Sequence, residues 1–290
     1  METINKTAPN TASGLARLWQ RIPVLIKAII LGFLVNTVGV MAWPIVGTLL
    51  PLPVALIVMI GLLFLYWKYF SGSWGSKATA FARKTSFRAT KLSSRLWRWG
   101  LLAGGLFVLL FQSGLVVTFR LIEFPAEAFT QGTSFYASLS PLMTVGVIIM
   151  TSLVAGICEE TGFRGYAQVP LEKRYGPLAA NVVVSLFFVA AHLQQAWSAP
   201  LLIHLFLGSM LFGLLAQSIG SLLPVMIAHT VADIINFSYW WSDFAGKFEY
   251  DIISRTGIDA HFITWVLILV AAAILFSGSI RKINQVRRSD

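Results

Sequence analysis

Apolar positions in this chain come in long blocks, with no period of two or of 3.6. Such blocks cover residues 23–50, 53–70, 100–118, 141–160, 177–195, 200–217, 221–237 and 262–279. About 20 apolar residues in a helix cross the roughly 30 Å hydrocarbon layer of a bilayer. A helix also satisfies its own backbone hydrogen bonds, which lipid cannot do. The pattern predicts an all-α, polytopic membrane protein with about eight transmembrane helices. The first block is longer than one crossing needs, which predicts a tilt or an interfacial first turn.

The polar stretches between blocks are sorted by charge. Of the 22 Lys and Arg, 19 lie at or near the start of the first block or the ends of the second, fourth and eighth. They are Lys6, Arg17, Arg21 and Lys27; the run from Lys68 to Arg98; Arg164, Lys173 and Arg174; and Arg281, Lys282, Arg287 and Arg288. The other stretches hold Arg120, Lys247 and Arg255 beside Glu123, Glu127, Asp243, Glu249, Asp251 and Asp259. Cytoplasmic loops of membrane proteins collect Lys and Arg, so both termini are expected in the cytoplasm, joined by an even number of crossings. The tryptophans, Trp43, Trp197 and Trp241 among them, sit at or near block ends, where an amphipathic ring prefers the interface.

Composition adds exclusions. The chain is 57% hydrophobic and 12% charged, with a mean hydropathy of +0.75. A soluble globule of 290 residues has too little core for that apolar content, which excludes an ordinary soluble enzyme, a disordered chain and a coiled coil. Topology accounts for the net charge of +10, so no nucleic-acid partner is expected. The basic stretch 68–98 is expected to rest on anionic membrane lipid. The one cysteine, Cys158, excludes a disulfide framework and a Cys-based zinc site. No apolar stretch precedes a cleavage site in the first 15 or so residues, so the first block reads as an uncleaved anchor. The chain divides into a cytoplasmic segment 1–22, N-terminal helices with the basic loop at 23–140, a core at 141–237, and an external loop, last helix and basic tail at 238–290. It reads as a multi-pass protein of a cell membrane. Short polar termini without eukaryotic targeting signals point to the bacterial cytoplasmic membrane.

Ionisable side chains inside a membrane are costly, and each is a functional hypothesis. They concentrate in the fourth, fifth and seventh blocks. The fourth ends with Glu159 and Glu160, followed by Arg164. On an α-helix Glu160 and Arg164 face each other as an i,i+4 pair. Glu159 is rotated about 100° away and can point elsewhere. The fifth block carries Phe188 and His192, four apart on one face. The seventh carries His229 and Asp233, again four apart, with Asn236 one turn on. Each pair by itself also fits a structural role: a solvated ion pair, a hydrogen-bonded histidine, a polar clasp between helices. Together they supply a carboxylate, two imidazoles and a further acidic side chain from three helices. That set can activate water by proton abstraction and stabilise an oxyanion. It can equally hold a divalent metal such as zinc through Glu159, His192 and His229, or no metal at all. A serine nucleophile is disfavoured, because no Gly-x-Ser-x-Gly is present. Cys158 adjoins two carboxylates that oppose thiolate formation.

Glu-Glu-x-x-x-Arg at 159–164, Phe-x-x-x-His at 188–192 and His-x-x-x-Asp at 229–233, in that order on consecutive apolar helices, resemble the CPBP family. That family contains the CAAX prenyl endopeptidases and the bacteriocin-processing and self-immunity membrane proteins. The resemblance covers about 151–237 and implies an eight-helix fold and intramembrane proteolysis of a membrane-associated peptide or protein. Carried over residue by residue, it implies that Glu159 is the general base. Glu160 and Arg164 would shape the helix end, and His192 and His229 would hold the water or a metal. Asp233 stands where the family often has Asn; an ionised Asp repels an oxyanion, so it must be protonated, orient His229 or bind a cation. His204 has no matching role and reads as packing. The alternatives are a non-proteolytic scaffold or immunity factor that binds a membrane partner, and a proton-coupled transporter. The latter predicts inverted repeats, which are not seen in the sequence.

One geometric tension remains. If the fourth helix ends near residue 160 and the fifth begins at Pro177, Glu159 and His192 lie at different depths. They meet only with strong tilt, or if the amphipathic stretch 166–176 carries the chain well out before it turns. A water-filled cavity open to the cytoplasm near Arg164 is expected.

Overall fold

The computed structural model describes residues 18–19, 21–124, 133–193 and 199–289, with the backbone alone at 133 and 134. Lys6, Arg17, Glu127, Trp197 and the end of the fifth block at 194–195 lie outside the described residues, as does most of segment 1–22. Every regular element among them is helical. In chain order the main ones are α1 (Val24–Val40), α2 (Ala42–Leu49), α3 (Leu52–Phe70), α4 (Lys77–Ser86), α5 (Ser94–Leu121) and α6 (Pro141–Val154). The π-helical segment π1 (Ala155–Ala167) and α7 (Gln168–Tyr175) extend α6 into one rod. Then come α8 (Pro177–Ala191), α9 (Ala199–Ile219), α10 (Leu223–Tyr239) and α11 (Ala260–Ser289). Six spans are long and apolar enough to cross a membrane: α1–α2, α3, α5, α6–π1–α7, α9 and α11. The chain is a multi-pass membrane protein. The shorter α8 (15 residues) and the polar-bearing α10 (17 residues) fall below that length.

Two blocks differ from their sequence reading. The first is broken at Met41 into α1 and α2 rather than forming one tilted rod. The break precedes Pro44, which has no N–H to continue the α1 ladder. The fourth does not end near 160 but runs as a continuous helix from Pro141 to Tyr175. Gly176 then reverses the chain at φ 82, a conformation glycine adopts without Cβ strain, and Pro177 opens α8 with its φ already suited to a first turn.

This hairpin resolves the depth mismatch. Sixteen residues separate Glu159 from Tyr175, and fifteen separate Pro177 from His192. At similar rise per residue the two arms return to the same level. The stretch 166–176 therefore carries the helix outward, as the sequence required.

Small residues seat the helices that bear the polar groups. A Cβ on Gly32 of α1 would lie 3.0 Å from the Gly162 carbonyl oxygen of π1 and 2.7 Å from the Ala167 Cβ. Gly100 and Gly104 of α5, a small-xxx-small pair, are used within the chain: a Cβ on Gly104 would lie 3.1 Å from Ala228, and one on Gly100 3.1 Å from Pro224. They let α10 approach α5 closely and so set the height of His229.

The two ends of the bundle are fastened differently. At one, Arg88 donates to Glu172 at 2.6 Å and to the Arg164 carbonyl at 3.2 Å, tying the basic loop to α7. At the other, the fully buried Arg120 gathers the loop before α11. It donates to both oxygens of Asp259 at 2.7 and 3.1 Å, to Thr256 at 3.0 Å and to the Asp251 carbonyl at 2.7 Å. Hydrogen bonds from Arg120 and then from the Phe262 N–H pull the Asp259 carboxyl down from 3.8 to about 2. Its stabilising contribution is complete above the unfolded value near pH 4 and is lost as pH falls through about 2. The thermal midpoint in detergent should therefore drop more steeply between pH 5 and pH 2 in the wild type than in Asp259→Asn. Parallel slopes would remove the clasp from the stability of this end.

Candidate active site

The π1 segment presents both glutamates inward. Its i→i+5 turns are wider than those of an α-helix and are frequent at functional sites. The 3.6-residue rotation read from the sequence does not apply between Ala155 and Ala167. Glu160 is fully buried and Glu159 only slightly exposed.

Glu160 accepts from Nδ1–H of His229 at 2.7 Å. Its Oε1 also lies 3.4 Å from Nη1 of the fully buried Arg164. That separation is longer than a charge-assisted hydrogen bond, so the firmer anchor of the guanidinium is the Ser209 hydroxyl at 3.1 Å. The rings of Phe188 and Phe212 lie 4.5 and 5.3 Å from its centre, within cation–π range. Phe212 in turn stacks on His229, with centroids 4.6 Å apart. The ordered row Arg164, Glu160, His229 fixes the imidazole by charge on one nitrogen and by an aromatic on its face.

His192 is held differently. Its Nδ1 lies 2.7 Å from the Phe188 carbonyl oxygen. A carbonyl only accepts, so Nδ1 carries the hydrogen, and in a neutral ring Nε2 is then the acceptor. Phe188 stacks on the ring at 4.3 Å. Both imidazoles turn Nε2 toward one atom, Glu159 Oε2, at 3.8 Å for His192 and 4.0 Å for His229. These gaps exceed a direct hydrogen bond and suit a bridging water. Glu159 Oε2 is buried and has no hydrogen-bond partner among the described residues. Asp233 Oδ2 lies 3.5 Å from His229 Nε2. The structure thus brings Glu159, Glu160, Arg164, Phe188, His192, His229 and Asp233 into one cluster.

The comparison with known families falls on this cluster. Residues 141–235 match the Rce1-like family, described as type II CAAX prenyl endopeptidase Rce1-like. The match runs from the first residue of α6 into α10, about a third of the chain, and agrees with the resemblance of the three motifs to the CPBP family. It supports a peptidase. No curated protein and no solved structure was found to match the chain.

The cluster borders a cavity of about 290 Å³. Glu159, His192, His229 and Asp233 lie along its wall, together with Thr151, Asn236, Trp43 and Trp241. The cavity differs from the one expected near Arg164, which does not line it. The stacked aromatics and Ser209 bury Arg164 completely, so the open space lies on the Thr151 side of Glu159. Cys158 faces the other way, buried against Tyr66. His204 packs on Phe111 with centroids 4.2 Å apart and lines a small side cavity of about 50 Å³.

Asn236 was visible in the sequence on the His229–Asp233 face, but its orientation was not. The Trp240 indole, a donor only, donates to Gln112 Oε1 at 3.1 Å. That fixes the Gln112 amide, whose Nε2 donates to Asn236 Oδ1 at 2.8 Å. The Asn236 oxygen is thereby occupied, and its NH₂ remains available to the cavity that Asn236 lines.

A divalent ion would find suitable donors in Glu159, His192 and His229. Two donors of one tetrahedral zinc sit roughly 3.3 Å apart; the separations of 3.8 and 4.0 Å from Glu159 are wider. No group of three such ligands among the described residues has metal-holding geometry. The described residues as placed do not fit a metal.

Proposed function

We propose that this protein is an intramembrane endopeptidase that hydrolyses a peptide bond of a membrane-associated protein or peptide with water activated by Glu159. The observation that carries the proposal is the buried, unpartnered Glu159 Oε2 facing two imidazole nitrogens on a cavity wall. A water in that gap donates one hydrogen to Glu159 and one to an imidazole. Glu159 takes its proton as the water oxygen bonds to the scissile carbonyl carbon. The carbonyl oxygen then carries the negative charge. As the C–N bond breaks, Glu159 returns the proton to the departing amine, leaving a carboxylate and an amine as products. The Rce1-like match supports the reaction class.

Asn236 supplies the oxyanion donor in this scheme. Its NH₂ can donate where the carboxylate of Asp233 cannot, and the Gln112–Trp240 pair holds it ready before substrate arrives. Asp233 borders the same gap, with its Oδ2 3.5 Å from His229 Nε2. Asn236→Ala should lower the turnover rate by about 10²-fold with little change in substrate affinity. Gln112→Ala should cost less, because it frees the amide without removing it. An unchanged rate in Asn236→Ala would move the oxyanion to another donor. The overall reading is tested by comparative proteomics of membrane-associated peptides from cells carrying the wild type or Glu159→Gln. Identical peptide sets would reject proteolysis.

A further inference from the structure

The cavity and the basic charge lie at opposite ends of the bundle. The basic loop, α7 and the C-terminal tail share one end: Arg88 binds Glu172 of α7, and Arg287 donates to the Gln217 and Ser218 carbonyls at the close of α9. Arg88 is also close enough to Arg287 to feel its charge. Lys77, Lys84, Lys91, Arg95 and Arg98 occupy the loop, Lys173 and Arg174 the end of α7, and Arg281 to Arg288 the end of α11.

Most of the cavity lining comes from the half of each helix away from that end, with Glu159, Phe107, Phe212 and His229 near mid-helix. α1 contributes its last residue, Val40, and α2 contributes Trp43 and Pro44. α6 and π1 contribute Thr151 to Glu159, on the side away from Lys173. α8 contributes Phe188 and then His192, at the end remote from Gly176. α10 contributes His229 to Phe237, followed by Trp241. The stretches at this far end carry three cations, Arg120, Lys247 and Arg255, against five acids, Glu123, Asp243, Glu249, Asp251 and Asp259, among the described residues. All three of those cations are paired with acids of the same end: Arg120 with Asp259, Lys247 with Asp243, and Arg255 with Glu123 and Asp251.

Basic residues mark the cytoplasmic face of a membrane protein. We propose that the cavity opens on the opposite, non-cytoplasmic face. The substrate would then be an apolar, aromatic-tolerant peptide segment presented from that side, at the outer leaflet, rather than the cytoplasmic C-terminus of a soluble protein. The lining by Phe107, Phe111, Phe188, Phe212, Phe237 and Trp43 accommodates such a segment. This inference rests on the peptidase reading for the word substrate, and on geometry and charge alone for the side.

The test reads the side without requiring activity. In a Cys158→Ser background, single cysteines are placed in the cavity (Thr151→Cys and, separately, Phe237→Cys), on the acidic end (Glu249→Cys) and in the basic loop (Lys91→Cys). Intact bacterial cells expressing the full chain, and inside-out vesicles made from them, are treated with a small membrane-impermeant cationic methanethiosulfonate. Reaction after solubilisation and unfolding verifies that each cysteine is present. The expected result is reaction of both cavity positions and of Glu249→Cys in intact cells, with Lys91→Cys reacting only in inside-out vesicles. Cavity cysteines that react only in inside-out vesicles, or from neither side, overturn the proposal; two cavity positions guard against one variant that fails to fold. Outside labelling without any peptide difference between wild type and Glu159→Gln would reject proteolysis and keep the sidedness. Inside labelling with such a difference would do the reverse.

Discussion

Glu159→Gln should abolish cleavage while leaving the bundle folded. A positioned general base contributes roughly 10²–10⁴-fold, and here the same carboxylate also returns the proton to the leaving amine, so a loss of about 10³-fold or more is expected. Stability should move the other way. Glu159 Oε2 is buried without a hydrogen-bond partner among the described residues, and the carboxylate lies within 4.0 Å of His229, which is already bonded to Glu160. Removing an unpaired buried charge relieves a desolvation cost, so the variant should melt at or above the wild-type temperature. Such a trade is usual where a site is built for chemistry rather than stability. Turnover of a verified substrate at the wild-type rate would remove Glu159 from the role of base. A drop in melting temperature would show that its carboxylate is structural.

Arg164→Met should produce the largest stability loss. Arg164 and Glu160 are both fully buried, and the guanidinium sits between Phe188 and Phe212. Removing one partner of a buried pair leaves the other charge uncompensated, at a cost of about 3–5 kcal/mol. The double variant Arg164→Met/Glu160→Gln should recover much of that loss, because no net charge is then stranded. Arg164→Lys should fall between: it keeps the charge but loses the planar group that stacks on two rings. Thermal unfolding in detergent reads all three. If the double variant were no more stable than Arg164→Met, the pair would not be the source of the loss. Activity should fall in each, because Glu160 fixes the His229 tautomer through Nδ1.

Much of this was legible in the chain alone. Blocks of apolar residues cannot be buried in a soluble fold, so the helical membrane architecture follows from hydration energetics. The three motifs were legible because ionisable groups are rare in such blocks. Boundaries were less so. The break at Met41 depends on Pro44, and the continuation of the fourth block to Tyr175 runs through polar residues that hydropathy reads as a loop. The π-helical winding of Ala155–Ala167 left no periodic signal, so the rotation between Glu159 and Glu160 was read on the wrong period.

The sequence by itself determined that helices cross a membrane, which residues are too polar to be there without a purpose, and at which ends the charges collect, because each depends on transfer energies counted residue by residue. Only the tertiary structure decided that Glu159 and His192 share a depth, that the Asn236 oxygen is taken up by Gln112, and that the cavity lies away from Arg164. Those facts hang on a reversal at Gly176, a donor-only indole and a stacked guanidinium. Each is a relation between residues distant in the chain, which no local count of polarity contains.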